Sequence, residues 1–207
     1  MEIINGERLV LGTCYYPEHW DESLWRDDLK RMLENGIEVI RIAEFAWSKI
    51  ERYEGVFNYD FFDRFLDVAA DMGMKVIFCT PTATPPAWLT EKYPEVLNAN
   101  MDGVLYRHGG RRHYNYNSPK YQELTTIIVE KSASHYAKHP AIIGWQIDNE
   151  INCEKNEFYS ESDTIAFRKF LMEKYGSIDA LNDAWGTNFW NQTYNSCLLY
   201  TSPSPRD

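Results

Sequence analysis

The sequence is short of several things at once, and each shortage closes off a class of protein. Its 207 residues hold four cysteines, Cys14, Cys79, Cys153 and Cys197, far apart and without a Cys-x-x-Cys pair. A disulfide scaffold is therefore not expected, and free thiols are. Eleven Gly and nine Pro are too few for a collagen-like or low-complexity chain. No apolar stretch approaches the roughly 18 residues of a membrane helix. Basic residues are in deficit, 21 against 31 acidic ones, for a formal net charge of −10. That balance argues against nucleic acid or an anionic membrane as a partner. Residues Met1 to Trp20 lack both the basic and the longer apolar segment of a secretory leader, so the expected compartment is the cytoplasm. Aromatic surface is what the chain has in plenty, with 7 Trp, 14 Tyr and 10 Phe. Flat apolar faces with polar tips suit ring-shaped ligands such as sugars, and core packing uses them as well.

Short β-branched runs alternate with longer helical periods. Leu9–Cys14 reads as a buried strand, and residues 22–35 then carry Trp25, Leu29, Met32 and Leu33 on one helical stripe that stops at Asn35-Gly36. A second strand is expected over Glu38–Ala43. Residues 59–72 repeat the helical spacing with Phe62, Phe65, Ala69 and Met72, and Gly73 fits a C-cap. The third strand is Lys75–Thr80. After a long loop, Ser118-Pro119 opens a helix to about Lys138, and a fourth strand follows at Ile142–Ile147. Ser160 and Asp163 have the spacing of a capping box ahead of Phe167, Phe170 and Leu171.

Four βα units in succession imply a parallel sheet covered by helices, either doubly wound or a (β/α)8 barrel. A doubly wound nucleotide binder would follow its first strand with a glycine-rich turn. Here that place holds Tyr15-Tyr16-Pro17-Glu18-His19-Trp20, too bulky to cradle a pyrophosphate. The barrel is the expected fold. A full barrel needs roughly 250 residues, and four of its eight units are present. The expected fold class is thus α/β, the truncated N-terminal half of a TIM (β/α)8 barrel over residues 1–196. From Cys197 the sequence runs Cys-Leu-Leu-Tyr-Thr-Ser-Pro-Ser-Pro-Arg-Asp, without period, and resembles the translation of a sequencing-library adapter. Residues 197–207 are expected to be a non-native, disordered tail, with a natural flexible tail as the alternative.

Functional residues of such barrels sit at the C-terminal strand ends. Those ends here gather aromatic, carboxylate and guanidinium groups. Tyr15, Tyr16, Glu18, His19 and Trp20 follow the first strand; Arg41, Glu44, Phe45 and Trp47 close the second. Thr80, Thr82, Thr84 and Trp88 follow the third, the loop after it adds Arg111, Arg112, His113 and Tyr114, and Asp148, Asn149 and Glu150 end the fourth. A sugar-hydrolysing site needs ring-stacking surfaces, hydroxyl partners and a proton-donating carboxyl. Asn149-Glu150 is the sharpest of these signals, although the dipeptide alone is common and a solvated strand-end carboxylate would account for it.

Longer motifs add specificity. Gly12-Thr13-Cys14-Tyr15-Tyr16-Pro17-Glu18-His19-Trp20 is followed by Arg41-Ile42-Ala43-Glu44-Phe45-Ala46-Trp47 and Glu54-Gly55-Val56-Phe57. Thr80-Pro81-Thr82-Ala83-Thr84-Pro85-Pro86-Ala87-Trp88-Leu89 comes next, then Gly109-Gly110-Arg111-Arg112-His113-Tyr114 and Ala180-Leu181-Asn182-Asp183-Ala184-Trp185-Gly186-Thr187. Over residues 9–196 this series resembles glycoside hydrolase family 42, the β-galactosidases. The resemblance implies retaining hydrolysis of terminal β-linked galactose from a galactoside or galacto-oligosaccharide, with no cofactor. It implies Glu150 as general acid/base, and Asn149 and Arg111 as substrate-binding residues. Arg41 is either a further sugar contact or the partner of an ion pair with Glu44 or Glu150. Trp20, Trp47 and Trp88 either wall the pocket or pack the barrel. The family's nucleophile is a glutamate after the seventh strand, which this sequence does not reach, so these residues alone are expected to be inactive. Strands one and four are expected to be open edges.

Some members of the family carry a structural zinc. Here the corresponding places hold Asn115 and Ile151–Asn156 with a single thiol, Cys153, so no metal is expected. The resemblance further implies homotrimers built partly from domains beyond this sequence. Two alternatives stand beside it: a related retaining glycosidase of another sugar, such as an arabinoside or fucoside, and a non-catalytic sugar-binding half-barrel.

Overall fold

The computed structural model describes residues 9–151, 153 and 155–196. The expectation for the tail at 197–207 lies outside them. The described residues divide into two compact units, one within 1–94 and 123–154, the other within 95–122 and 155–207.

The first unit is built on a four-stranded parallel sheet. Its elements are β1 (Leu11–Cys14), α1 (Trp25–Glu34), β2 (Ile37–Ile42), α2 (Trp47–Ile50), β3 (Glu51–Tyr53), β4 (Val56–Phe57), α3 (Asp60–Asp71), β5 (Lys75–Cys79) and α4 (Ala87–Lys92). The long helix α5 (Pro119–Tyr136) enters from the second unit and leads to β6 (Ile142–Gln146). Strand order is β1-β2-β5-β6, every pairing parallel, as expected where helical crossovers join the strands. The strands at 11–14, 37–42, 75–79 and 142–146 fall where the apolar runs placed them, one or two residues shorter at some ends. Helix α1 begins at Trp25, the first residue of its apolar stripe, three residues into the expected 22–35 segment. Asp21 accepts from the Ser23 amide at 2.9 Å, and a 3₁₀ turn at Glu22–Leu24 precedes Trp25.

Register sorts the side chains. Cys14 pairs with Arg41, Arg41 with Ile77, and Cys79 with Gln146, so these residues share one face of the sheet. Ile40, Ile42, Val76 and Phe78 share the other, and all four are fully buried. The helices close that second face with Phe62, Phe65, Leu66 and Ala69 of α3, Trp25 and Leu29 of α1, and Tyr136 of α5. Phe78 sits at the centre, its ring 5.7 Å from Phe62, 4.9 Å from Tyr136 and 5.4 Å from Trp145.

The hairpin β3–β4 was not anticipated. Gly55 turns it with φ 78°, and the Glu51 carboxylate, 3% exposed, accepts from the Gly55 amide at 2.7 Å and from Trp47 Nε1 at 2.7 Å. Among the described residues, β1 and β6 each have a single strand neighbour, as the open-edge expectation held. Leu11 and Ile147 stand 52% and 80% exposed along those edges.

The second unit centres on α6 (Glu161–Tyr175) and α7 (Ile178–Trp185). The expected capping box is present: Ser160 and Asp163 bond reciprocally at the start of α6. Gly176 ends α6 in the left-handed conformation, and Ser177 then caps α7. Leu171 and Leu181 pack together with Phe167, Tyr175, Ile178 and Tyr194 around them. Two buried asparagines tie the preceding loop to this unit. Asn98 donates to the Glu157 carbonyl at 2.8 Å, and Asn115 donates to the Ser160 and Ser162 hydroxyls.

Candidate active site

Where β2 and β6 end, the backbone leaves ordinary conformations. Ala43 has φ 73°, Asp148 φ 54° and Glu150 φ 42°, three non-glycine residues in the left-handed region within the first unit. Each such residue carries strain of roughly 1–3 kcal/mol and persists only where its surroundings over-determine it.

At β6 those surroundings are explicit. The Asp148 amide donates to Thr80 Oγ1 at 2.7 Å, and its carboxylate accepts from Thr82 Oγ1 at 2.7 Å and from the Asn149 amide at 2.6 Å. Gln146 Nε2 donates to the Asp148 carbonyl at 2.8 Å. The next residues bring Asn149, 7% exposed, and then Glu150, which is solvent-facing and accepts from the Cys153 amide at 3.0 Å through its carbonyl.

Arg41 joins this turn to the rest of the sheet. Its Nη1 donates to Gln146 Oε1 at 2.8 Å, and its Nη2 to Glu44 Oε1 at 2.8 Å and Cys14 Sγ at 3.0 Å. Glu44 is fully buried and also accepts from the Tyr16 hydroxyl at 2.9 Å. The Tyr16 ring stacks on His19 and Phe45, at 5.3 and 6.0 Å. A buried carboxylate of this kind shapes its neighbours. Burial and then the Glu44 carboxylate push the Tyr16 phenol up to about 12. The Cys79 thiol is likewise pushed up to about 12, first by burial and then by Glu44. Burial, the largest single influence, would lower Arg41, but the Glu44 carboxylate together with Cys14 and Cys79 outweighs it and the guanidinium is raised. Glu18 is raised mainly by burial. Glu18 Oε2, Arg41 Nε, Glu44 Oε2 and Thr84 Oγ1 are buried without a hydrogen-bond partner.

The structure therefore places Arg41, Asn149 and Glu150 together in the first unit. Of the readings open for Arg41, the ion pair with Glu44 is observed. Arg111 lies in the second unit on an exposed turn. Beside it, Arg112 has φ 58°, is 3% exposed and donates to Tyr114 and Tyr116. Trp47 is fully buried, and both it and Trp88 donate their indole N–H to Glu51, so these two serve the packing of the unit. Trp20 is 54% exposed. Among the described residues, no group of three or more His, Cys, Asp or Glu is placed to hold a metal ion, and no helix is long and apolar enough to cross a membrane. Gln146 escaped the sequence reading. Its signal was a polar residue two positions after Gly144, which puts it on the same face as Arg41.

A solvent-facing carboxyl fixed on a strained turn, beside an amide and a guanidinium network, can exchange a proton with a bound group. Comparison with known proteins bears on which group. The family model described as beta-galactosidase, of glycoside hydrolase family 42, matches residues 14–205. A β-galactosidase of Halorubrum lacusprofundi is 42% identical over 94% of this chain, and one of a Thermus species is 45% identical over 90%. The chain spans 28% and 29% of the length of those two relatives. The solved structure of a β-galactosidase from Halorubrum lacusprofundi superimposes with a TM-score of 0.91 at 42% identity, covering 95% of this chain and 30% of that one.

Proposed function

The chain belongs to glycoside hydrolase family 42, the β-galactosidases, and on that premise we propose that it supplies the first four βα units of a TIM barrel that removes terminal β-D-galactose residues with retention of configuration. The observation that carries this reading is the position of Glu150. It directly follows Asn149 on a left-handed turn at the C-terminal end of the fourth parallel strand, the end at which such barrels do their chemistry.

In this reaction Glu150 gives its proton to the glycosidic oxygen as the bond to the anomeric carbon breaks. It then takes a proton from the water that releases the sugar. The nucleophilic carboxylate stands roughly 5–5.5 Å from the acid in retaining enzymes and comes from a later strand, outside these residues. Asn149 and Arg111 bind the galactose. Arg41, held by Glu44, makes a further contact to the sugar. The substrate is a galactoside or galacto-oligosaccharide, no cofactor takes part, and the working protein is a cytoplasmic homotrimer.

The test is to express the complete coding sequence that contains these residues and assay it on aryl β-galactosides, with arabinosides and fucosides as controls. Glu150→Gln is expected to lose about 10²–10⁴-fold on substrates whose leaving group needs protonation. On an activated aryl β-galactoside, where loss of the base slows release of the sugar, azide should restore turnover and give β-galactosyl azide. Unchanged activity in that variant would overturn the assignment, and preference for another sugar would redirect it. Sugar binding without turnover by the complete protein would favour the non-catalytic reading.

A further inference from the structure

Glu150 can act only if the turn beneath it holds still, and that turn is costly to hold. Asp148 and Glu150 both sit in the left-handed region, where side chains of L-residues crowd the backbone. Thr80 and Thr82 fix Asp148 itself, through its amide and its carboxylate. The peptide that joins Asp148 to Asn149 sets the direction of the chain toward Glu150. That peptide is pinned at its N–H by the Asp148 carboxylate at 2.6 Å and at its C=O by Gln146 Nε2 at 2.8 Å.

We propose that Gln146 is a positioning residue for the acid, coupling the Arg41 guanidinium to the Asp148 carbonyl and so to the turn that carries Glu150. This rests on the reading of Glu150 as the acid. The chemistry of the two partners fixes which way the amide faces. Arg41 can only donate, so Gln146 Oε1 must face it, and the Asp148 carbonyl can only accept, so Nε2 must face that. A carboxylate of the same length would satisfy Arg41 and lose the carbonyl. A thioether would lose both, and asparagine would be one methylene short. Arg41 is itself held by buried Glu44 on its other nitrogen. The relay therefore runs from Glu44 through Arg41 and Gln146 to the peptide before Asn149, and links residues 105 positions apart. A misplacement of about 1 Å in an acid costs up to about 10²-fold.

The experiment uses the complete protein with Gln146→Met and Gln146→Glu beside Glu150→Gln. Each is assayed on 4-nitrophenyl β-galactoside, whose leaving group departs without help, and on an alkyl β-galactoside, whose leaving group needs a proton. Q146M is expected to lose about tenfold more kcat/KM on the alkyl than on the aryl substrate, with KM nearly unchanged. Q146E keeps the Arg41 contact, guards against a variant that fails to fold, and should show the same selectivity to a smaller degree. Equal losses on both substrates, or none, while E150Q shows the leaving-group dependence would overturn the role of Gln146. Absence of that dependence in E150Q would instead remove Glu150 as the acid, and the proposal with it.

Discussion

On the helix-covered face of the sheet, Ile40, Ile42, Val76 and Phe78 are fully shielded from water, whereas on the opposite face Cys14 is exposed and Arg41, Ile77 and Gln146 are partly so. The same strands make both faces, since successive side chains point to opposite sides. The covered face is apolar and closed by aromatic contacts around Phe78. The other carries a guanidinium, a buried carboxylate, unsatisfied polar atoms and strained turns at its rim. Polar atoms without partners and left-handed backbone both weaken a fold. They persist here because the opposite face supplies the stability that the rim spends.

The comparison is broken most directly at Phe78. Phe78→Ala should lower the unfolding free energy by about 3–5 kcal/mol, read from denaturant melts of the chain. A loss under about 1 kcal/mol would mean that the covered face does not hold the unit. Glu44→Ala on the rim should cost less, about 1–2 kcal/mol, because Arg41 is 31% exposed and solvent screens the pair. The same variant should bring Tyr16 down from about 12 while leaving the part due to burial, as an ultraviolet titration of tyrosinate would show.

A smaller effect sharpens the contrast by its sign. Ala43 and Ala69 are both fully buried, but Ala43 has φ 73° while Ala69 lies within α3. Ala43→Gly should stabilise the chain by about 0.5 kcal/mol through relief of strain, and Ala69→Gly should destabilise it by about 1 kcal/mol. Equal signs in the two melts would refute the strain at the end of β2.

The smallest effect is a pH slope. Burial raises Glu18 above its ordinary 4.5, so the folded chain binds that proton more tightly than the unfolded chain. Its contribution to stability therefore grows as pH falls from above the raised value to about 4.5, and is lost as pH rises again. Glu18→Gln should flatten that part of the stability profile. A wild-type slope that survives the substitution would assign it elsewhere.

Much of this architecture was legible in advance because its signals are local. Trp25 and Leu29, or Phe62, Phe65 and Ala69, declare a helix face within two turns, and Ser160 with Asp163 marks a helix start within four residues. The elements that escaped are short or masked by other motifs. The hairpin at Glu51–Phe57 depends on buried Glu51 reaching the Gly55 amide, and α4 at Ala87–Lys92 follows a proline-rich loop that reads as irregular. Helix α7 overlaps the motif at 180–187, although Ser177 and Gly186 are ordinary start and stop signals. At the site, Asn149-Glu150 could be placed at a strand end, whereas the role of Gln146 could not be read from its strand.

The sequence by itself determined the order of the four sheet strands and the main helices between them, the apolar faces of α1 and α3, the family, and the arrival of Asn149 and Glu150 at the end of the fourth strand. Periodicity and capping are written within a few neighbouring residues, so no partner from elsewhere in the chain is needed to read them. Only the tertiary structure decided that Arg41 divides its donors among Glu44, Gln146 and Cys14, and that Asp148 and Glu150 turn left-handed. Those outcomes depend on the register of β1 against β2 and of β5 against β6, which brings together side chains far apart in sequence and leaves each with whichever donor or acceptor lies opposite.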